Sequence, residues 1–167
     1  MTRAEAEPPK RRAAPEGARS ERRSAGKRPP RATAAQRRER VHVLWAKARA
    51  AARSARLLNQ AGDPDGAVNR AYYAAFGAAR AALATVRLAQ ASSKQHGTID
   101  RRFNKLFVRE RGLDPSLGRA LLQRLSSART AADYGKSQVL AEAVQRALGE
   151  MERFLAAIEP FLQKARR

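Results

Sequence analysis

The chain has 167 residues, enough for one domain with a tail, and carries 35 Lys and Arg against 15 Asp and Glu, a formal net charge of +20. It has no cysteine and two histidines, which excludes disulfides, thiolate zinc sites and cysteine nucleophiles; no metal or cofactor is expected. No apolar run approaches the roughly 20 residues a membrane-spanning helix needs, and the N-terminus lacks the apolar segment of a secretory signal, so a cytoplasmic address is expected and no membrane partner.

The first 34 residues hold most of the prolines, and no large apolar side chain follows Met1 until Val41. Such a stretch cannot bury enough surface to offset its ordering entropy, so residues 1–34 are read as a disordered basic arm rich in Arg, Pro and Ala. Its clustered arginines suit loose contact with RNA or DNA. The charge is not confined to the arm. Residues 1–40 hold 13 basic and 5 acidic side chains, and residues 41–167 hold the other 22 and 10. A field of that sign attracts polyanions, nucleic acid or an acidic protein surface.

Residues 35–167 read as helical throughout. A first helix is expected from Ala35 to about Asn59 or Ala61, with Val41, Leu44, Trp45, Ala48, Ala52, Ala55 and Leu58 along one stripe. Asp63-Pro64 is an N-cap followed by proline at the first helical position. The second helix, to about Leu88, is expected to bury Tyr72, Phe76, Ala79, Leu83 and Val86. A Ser- and Gly-containing loop follows over Ala91–Gly97. A short third helix carries Ile99, Phe103, Leu106 and Phe107 and stops near Gly112. Asp114-Pro115 repeats the cap signal and opens a fourth helix through Leu117, Leu121, Leu125, Ala128 and Ala132, with Gly135 as its left-handed terminator. Ser137 is expected to cap a fifth, whose stripe is Leu140, Val144, Ala147, Met151, Phe154, Ile158 and Phe161. The fold class is all-α: an antiparallel bundle of four long helices plus one short helix.

Three blocks carry candidate chemistry. In Arg129-Thr130-Ala131-Ala132-Asp133-Tyr134-Gly135, Arg129 and Asp133 stand one turn apart. A carboxylate in a helix's last turn meets an unfavourable dipole, and Arg before Asp is the poorer order for an i,i+4 pair. Asp133 is therefore expected to bond something outside its own helix. In Lys94-Gln95-His96-Gly97, His96 is either a general base or phosphate contact with Lys94 beside it, or a histidine that fixes its loop through a backbone bond. In Asn69-Arg70-Ala71-Tyr72-Tyr73-Ala74-Ala75-Phe76, the core stripe takes Tyr72 and Phe76. Arg70 and Tyr73 then look elsewhere, either into a groove suited to phosphate and base stacking or into a helix–helix contact. Phosphate-cradling Gly-x-x-x-x-Gly-Lys, Gly-x-Ser-x-Gly and His-Glu-x-x-His motifs are absent.

Together with Phe103-Asn104-Lys105-Leu106-Phe107-Val108, these blocks resemble the HEPN superfamily of small helical domains. Within it the chain is similar to the prokaryotic branch with an Arg-Ala-Tyr-Tyr helix and a later Arg-x-x-x-Asp-Tyr, over about Val41 to Phe161. The resemblance implies a toxin-like component of a toxin–antitoxin or defence module. Such a component forms a homodimer, acts on or binds RNA or nucleotide, and works beside a minimal nucleotidyltransferase. Carried onto this sequence, it makes Arg129 the candidate catalytic phosphate group and His96 a second candidate. Arg70, Tyr73, Lys94, Arg129, Asp133 and Tyr134 become nucleotide- or RNA-binding candidates, with Tyr134 as a possible modification site.

Family ribonucleases place a histidine four to six residues after the arginine, so that a fixed-charge phosphate donor and a group titrating near neutrality work together. Thr130 to Gly135 contain none. Arg37 and His42 match that spacing formally, but on the first helix in an arginine-dense stretch, away from the family's position. Two readings therefore stand: a metal-independent endoribonuclease, or an inactive nucleotide- or RNA-binding module or dimeric scaffold for a partner enzyme.

Overall fold

A computed structural model describes residues 32–93 and 95–164; the expected arm, residues 1–34, and Lys94 fall almost wholly or wholly outside these. The described residues are helical, without a strand, and the four long helices of the expected bundle are present. They are α1 (Ala34–Gln60), α2 (Pro64–Val86), α5 (Arg119–Tyr134) and α6 (Ala141–Lys164). Between α2 and α5 lie the single-turn α3 (Leu88–Ala91) and the short α4 (His96–Phe103). No described helix is long and apolar enough to cross a membrane.

Local chemistry sets the helix starts. Thr33 accepts from the Gln36 N–H at 3.1 Å while its own N–H donates to Gln36 Oε1 at 2.9 Å, a reciprocal cap that opens α1. Asp63 Oδ1 accepts from the Gly66 N–H at 2.8 Å, and Pro64 takes the first position of α2. The α1 stripe is buried as expected from Val41 to Ala55, with Leu58 partly covered.

Helix α2 is the central element, packed against α1, α3, α4, α5 and α6. That position explains its composition, since nine of its alanines are buried on faces that larger side chains would force apart. A methyl built at Gly77 would lie 3.2 Å from Ala48 Cβ, so the missing side chain lets α1 and α2 approach closely. The remaining core is aromatic and aliphatic: Phe103 stacks on Phe107 with centroids 5.1 Å apart and leans on Phe154 at 5.2 Å.

The structure corrects the expected connections. Where a loop was expected from Ala91, α3 precedes it and His96 already opens α4. Long side chains satisfy the open end of α3: Arg80 Nε donates to the Ala91 carbonyl at 2.9 Å, and Arg102 donates to Ala89 and Gln90. Beyond Phe103 the backbone widens into a π-helical segment, Asn104–Arg109, which ends before the left-handed Gly112 (φ +67°).

Asp114-Pro115 opens a short 3-10 turn, Pro115–Leu117, and α5 starts afresh at Arg119. The break falls at Gly118, where a Cβ would press on Asn104 and Val108. Gly135 is extended (φ −68°), not left-handed; a side chain there would collide with the Ala131 carbonyl, which accepts the Gly135 N–H at 2.8 Å. Ser137 does not cap α6, which starts four residues later. The incoming segment is tied to α2, with the Val139 N–H donating to Asp65 Oδ1 at 2.9 Å. Leu140, expected in the core, is therefore 78 % exposed, and Leu148 and Leu162 fill α6 core positions while Phe161 and Val86 are only partly buried.

Candidate functional site

The antiparallel packing of α5 on α2 brings the Arg129 block beside the Asn69–Phe76 block. Asp133 bonds outside its helix, accepting from Asn69 Nδ2 at 2.8 Å, and it also takes the local pair, with Arg129 at 2.6 Å. Arg70 donates to Asn69 Oδ1 at 2.9 Å. Both guanidinium groups lie over the Tyr73 ring, Arg70 at 5.3 Å and Arg129 at 5.9 Å from its centroid. Tyr73 is 36 % exposed and Tyr134, at the end of α5, is 77 % exposed. Arg129 is about three-quarters covered, and its Nε is buried without a hydrogen-bond partner in the structure.

His96 stands against the same helix. Its ring stacks on Phe76 with centroids 4.4 Å apart, and its Nδ1 shares a hydrogen bond with the Tyr72 hydroxyl. Tyr72 in turn packs on Tyr73 at 5.3 Å, which links the histidine through two tyrosines to Arg129. Burial first, then the positive charges of Arg129 and Arg80, hold the His96 pKa below the ordinary imidazole value. Burial and the nearby Asp100 carboxylate push the Tyr72 phenol up to about 12.

The arrangement thus joins Arg70, Tyr73, Arg129, Asp133 and His96. Lys94 lies outside the described residues, and Tyr134 follows Asp133 with its ring turned to solvent. Sequence reasoning assigned Tyr72 and Phe76 to the core alone, left Asn69 on the candidate face of α2 without a partner in the site, and passed over Asp100 as a site group. The available signal was spacing: Tyr72 with Phe76 and His96 with Asp100 are both one helical turn apart.

Asp100 is buried to 7 % exposure, and that burial raises its pKa from 3.8 to about 6, against the opposing pull of Arg119 and Arg101. A carboxyl with a raised folded pKa favours the folded state below its unfolded value and loses that contribution as pH rises through the folded one. Asp100→Asn is therefore expected to stabilise the protein by about 2 kcal/mol at about pH 7.5, a gain that fades toward about pH 4. Urea unfolding at the two pH values measures this; equal gains at both would contradict it.

Comparison with known proteins agrees with this architecture: the HEPN domain family model matches residues 41–161. The chain belongs to the HEPN domain family. A search of curated proteins found no match.

Proposed function

We propose that this chain is an RNA-acting HEPN domain that holds the phosphodiester backbone between Arg70 and Arg129, with bases stacking on Tyr73. The observation that carries the reading is the pair of arginines, one from α2 and one from α5, flanking a half-exposed tyrosine on a chain of formal charge +20. Arginine offers a fixed charge and a planar fork for phosphate, and an aromatic face accepts any base. Asp133 pairs with Arg129 and is itself held by Asn69.

In this reading the chain is the toxin-like component of a toxin–antitoxin or defence module, working as a homodimer with a minimal nucleotidyltransferase. Exposed Tyr134, beside Asp133, is the acceptor for modification, and the basic arm and Lys94 add phosphate contacts. One observation favours a purely binding role: residues 130–135 offer no histidine, and Asp133 already occupies Arg129.

The test is fluorescence anisotropy with a short labelled single-stranded RNA. Wild type is expected to bind with an affinity that falls steeply with salt, and Arg129→Ala to bind about tenfold more weakly at matched salt. Equal affinity of the two proteins would overturn the reading.

A further inference from the structure

Helices α1 and α6 both pack on α2, and between them lies an open groove of about 510 Å³. Its lining shares no residue with the Arg129 site. The two walls carry opposite charge. From α1 come Arg49, Arg53 and Arg56, spaced four and three residues apart, so that they share one helix face over about 10 Å. From α6 come Glu152 and Glu159, two turns apart. Apolar side chains lie between the walls: Trp45 and Ala52 are buried, and Leu155 is partly buried against the core.

One ion pair bridges the walls, Arg56 Nε to Glu152 Oε1 at 2.9 Å, with both side chains about half exposed. Such an exposed pair contributes little, so an incoming charge exchanges with it at small cost. Among the described residues Arg49, Arg53 and Glu159 make no ion pair. We propose that this groove docks an amphipathic helix of a partner protein, acidic along the edge that meets α1 and basic along the edge that meets α6. The apolar stripe of that helix covers Trp45, Ala52 and Leu155, a helix-in-groove mode of recognition.

The charge pattern selects this occupant. Nucleic acid presents one sign only, and its phosphates would meet Glu152 and Glu159 as well as the arginines. A second copy of this chain brings another +20, and the N-terminal arm is itself net basic, so both are repelled by the arginine wall. A helix carrying both signs satisfies both walls. Carboxylates spaced i, i+4 along it match Arg49 and Arg53, which stand four residues apart on α1.

Trp45 is the chain's only tryptophan, so its emission reports on the groove alone. The probe is a phage-displayed library of amphipathic helices, free of tryptophan, with a fixed apolar stripe and flanking positions varied among Asp, Glu, Lys, Arg and Ala. It is panned on the full chain, and the selected peptides are made with a dansyl acceptor for energy transfer from Trp45. They are expected to carry acid on one edge and base on the other, and to give saturable transfer. Arg53→Glu is expected to weaken binding at least about tenfold, and Lys47→Glu, the same charge change on α1 outside the groove, less than about twofold. Both positions are exposed, so the fold is kept. Peptides with the acidic edge changed to lysine are expected to recover binding to Arg53→Glu. Equal losses in the two variants would mean attraction by the general field and would overturn the proposal. So would selected peptides without the two-edged pattern, peptides that draw no transfer from Trp45, or a library without a binder, as when the arm or a second copy fills the groove. Single-stranded RNA that changes Trp45 emission in wild type but not in Arg53→Glu would overturn it in favour of a nucleic-acid occupant.

Discussion

Phe103→Ala is expected to lower the free energy of unfolding by about 4 kcal/mol, the largest single-residue effect on stability the fold predicts. Phe103 is fully buried at the end of α4, face to face with Phe107 at an interplanar angle of 9° and tilted against Phe154 of α6. Phe107 continues the contact, edge-on, to Phe161. Truncation removes the ring's transfer energy and leaves a void between α4, the π-helical segment and α6, and the π-helical turn that follows has little freedom to collapse into it. Because α4 carries His96 at its other end, the loosening reaches the site as well. Urea unfolding followed by circular dichroism measures the change, and a loss below about 1 kcal/mol would show that the aromatic cluster is not the anchor of α4.

The second large effect is on RNA. On the proposed reading, Arg129→Ala is expected to remove a charge-assisted phosphate contact worth about 1.5–3 kcal/mol, a ten- to hundredfold loss of affinity. Its stability cost is expected to stay under about 1 kcal/mol, because Asp133 keeps its bond from Asn69 and is partly solvated. Arg129→Lys is the sharper comparison. Lysine restores the charge but neither the planar fork nor the stack over Tyr73, so most of the loss is expected to remain. Full recovery with lysine would mean that Arg129 acts through the general field of the basic chain, without directed phosphate recognition. Anisotropy on the three proteins at one salt concentration, with thermal unfolding as the check on folding, decides between these outcomes.

Local signals made most of the fold legible. The Asp63 cap, the α1 stripe and the steps from Val144 to Ile158 are written in near neighbours and helical spacing, and the structure bears them out. The departures fall where a distant residue decides. Helix α3 is closed by Arg80 and Arg102, and the approach to α6 is held by Asp65, 74 residues from Val139. Neither partnership has a local pattern. The site divides the same way: Arg129 and Asp133 are one turn apart and readable as a pair, whereas Asn69 joins them only when α5 packs on α2. His96, read as a loop residue, gains its orienting partners from the docking of α4 on the Tyr72–Phe76 face.

A net charge of +20 attracts polyanions in general, so the central claim of the proposed reading is about where RNA sits. Photocrosslinking of thiouridine-substituted single-stranded RNA, followed by peptide mapping, tests it most directly. Adducts on the peptides that carry Tyr73 and Tyr134, diminished in Arg129→Ala, are the predicted result. Adducts confined to the arginine-rich surface of α1, unchanged by that substitution, would contradict it.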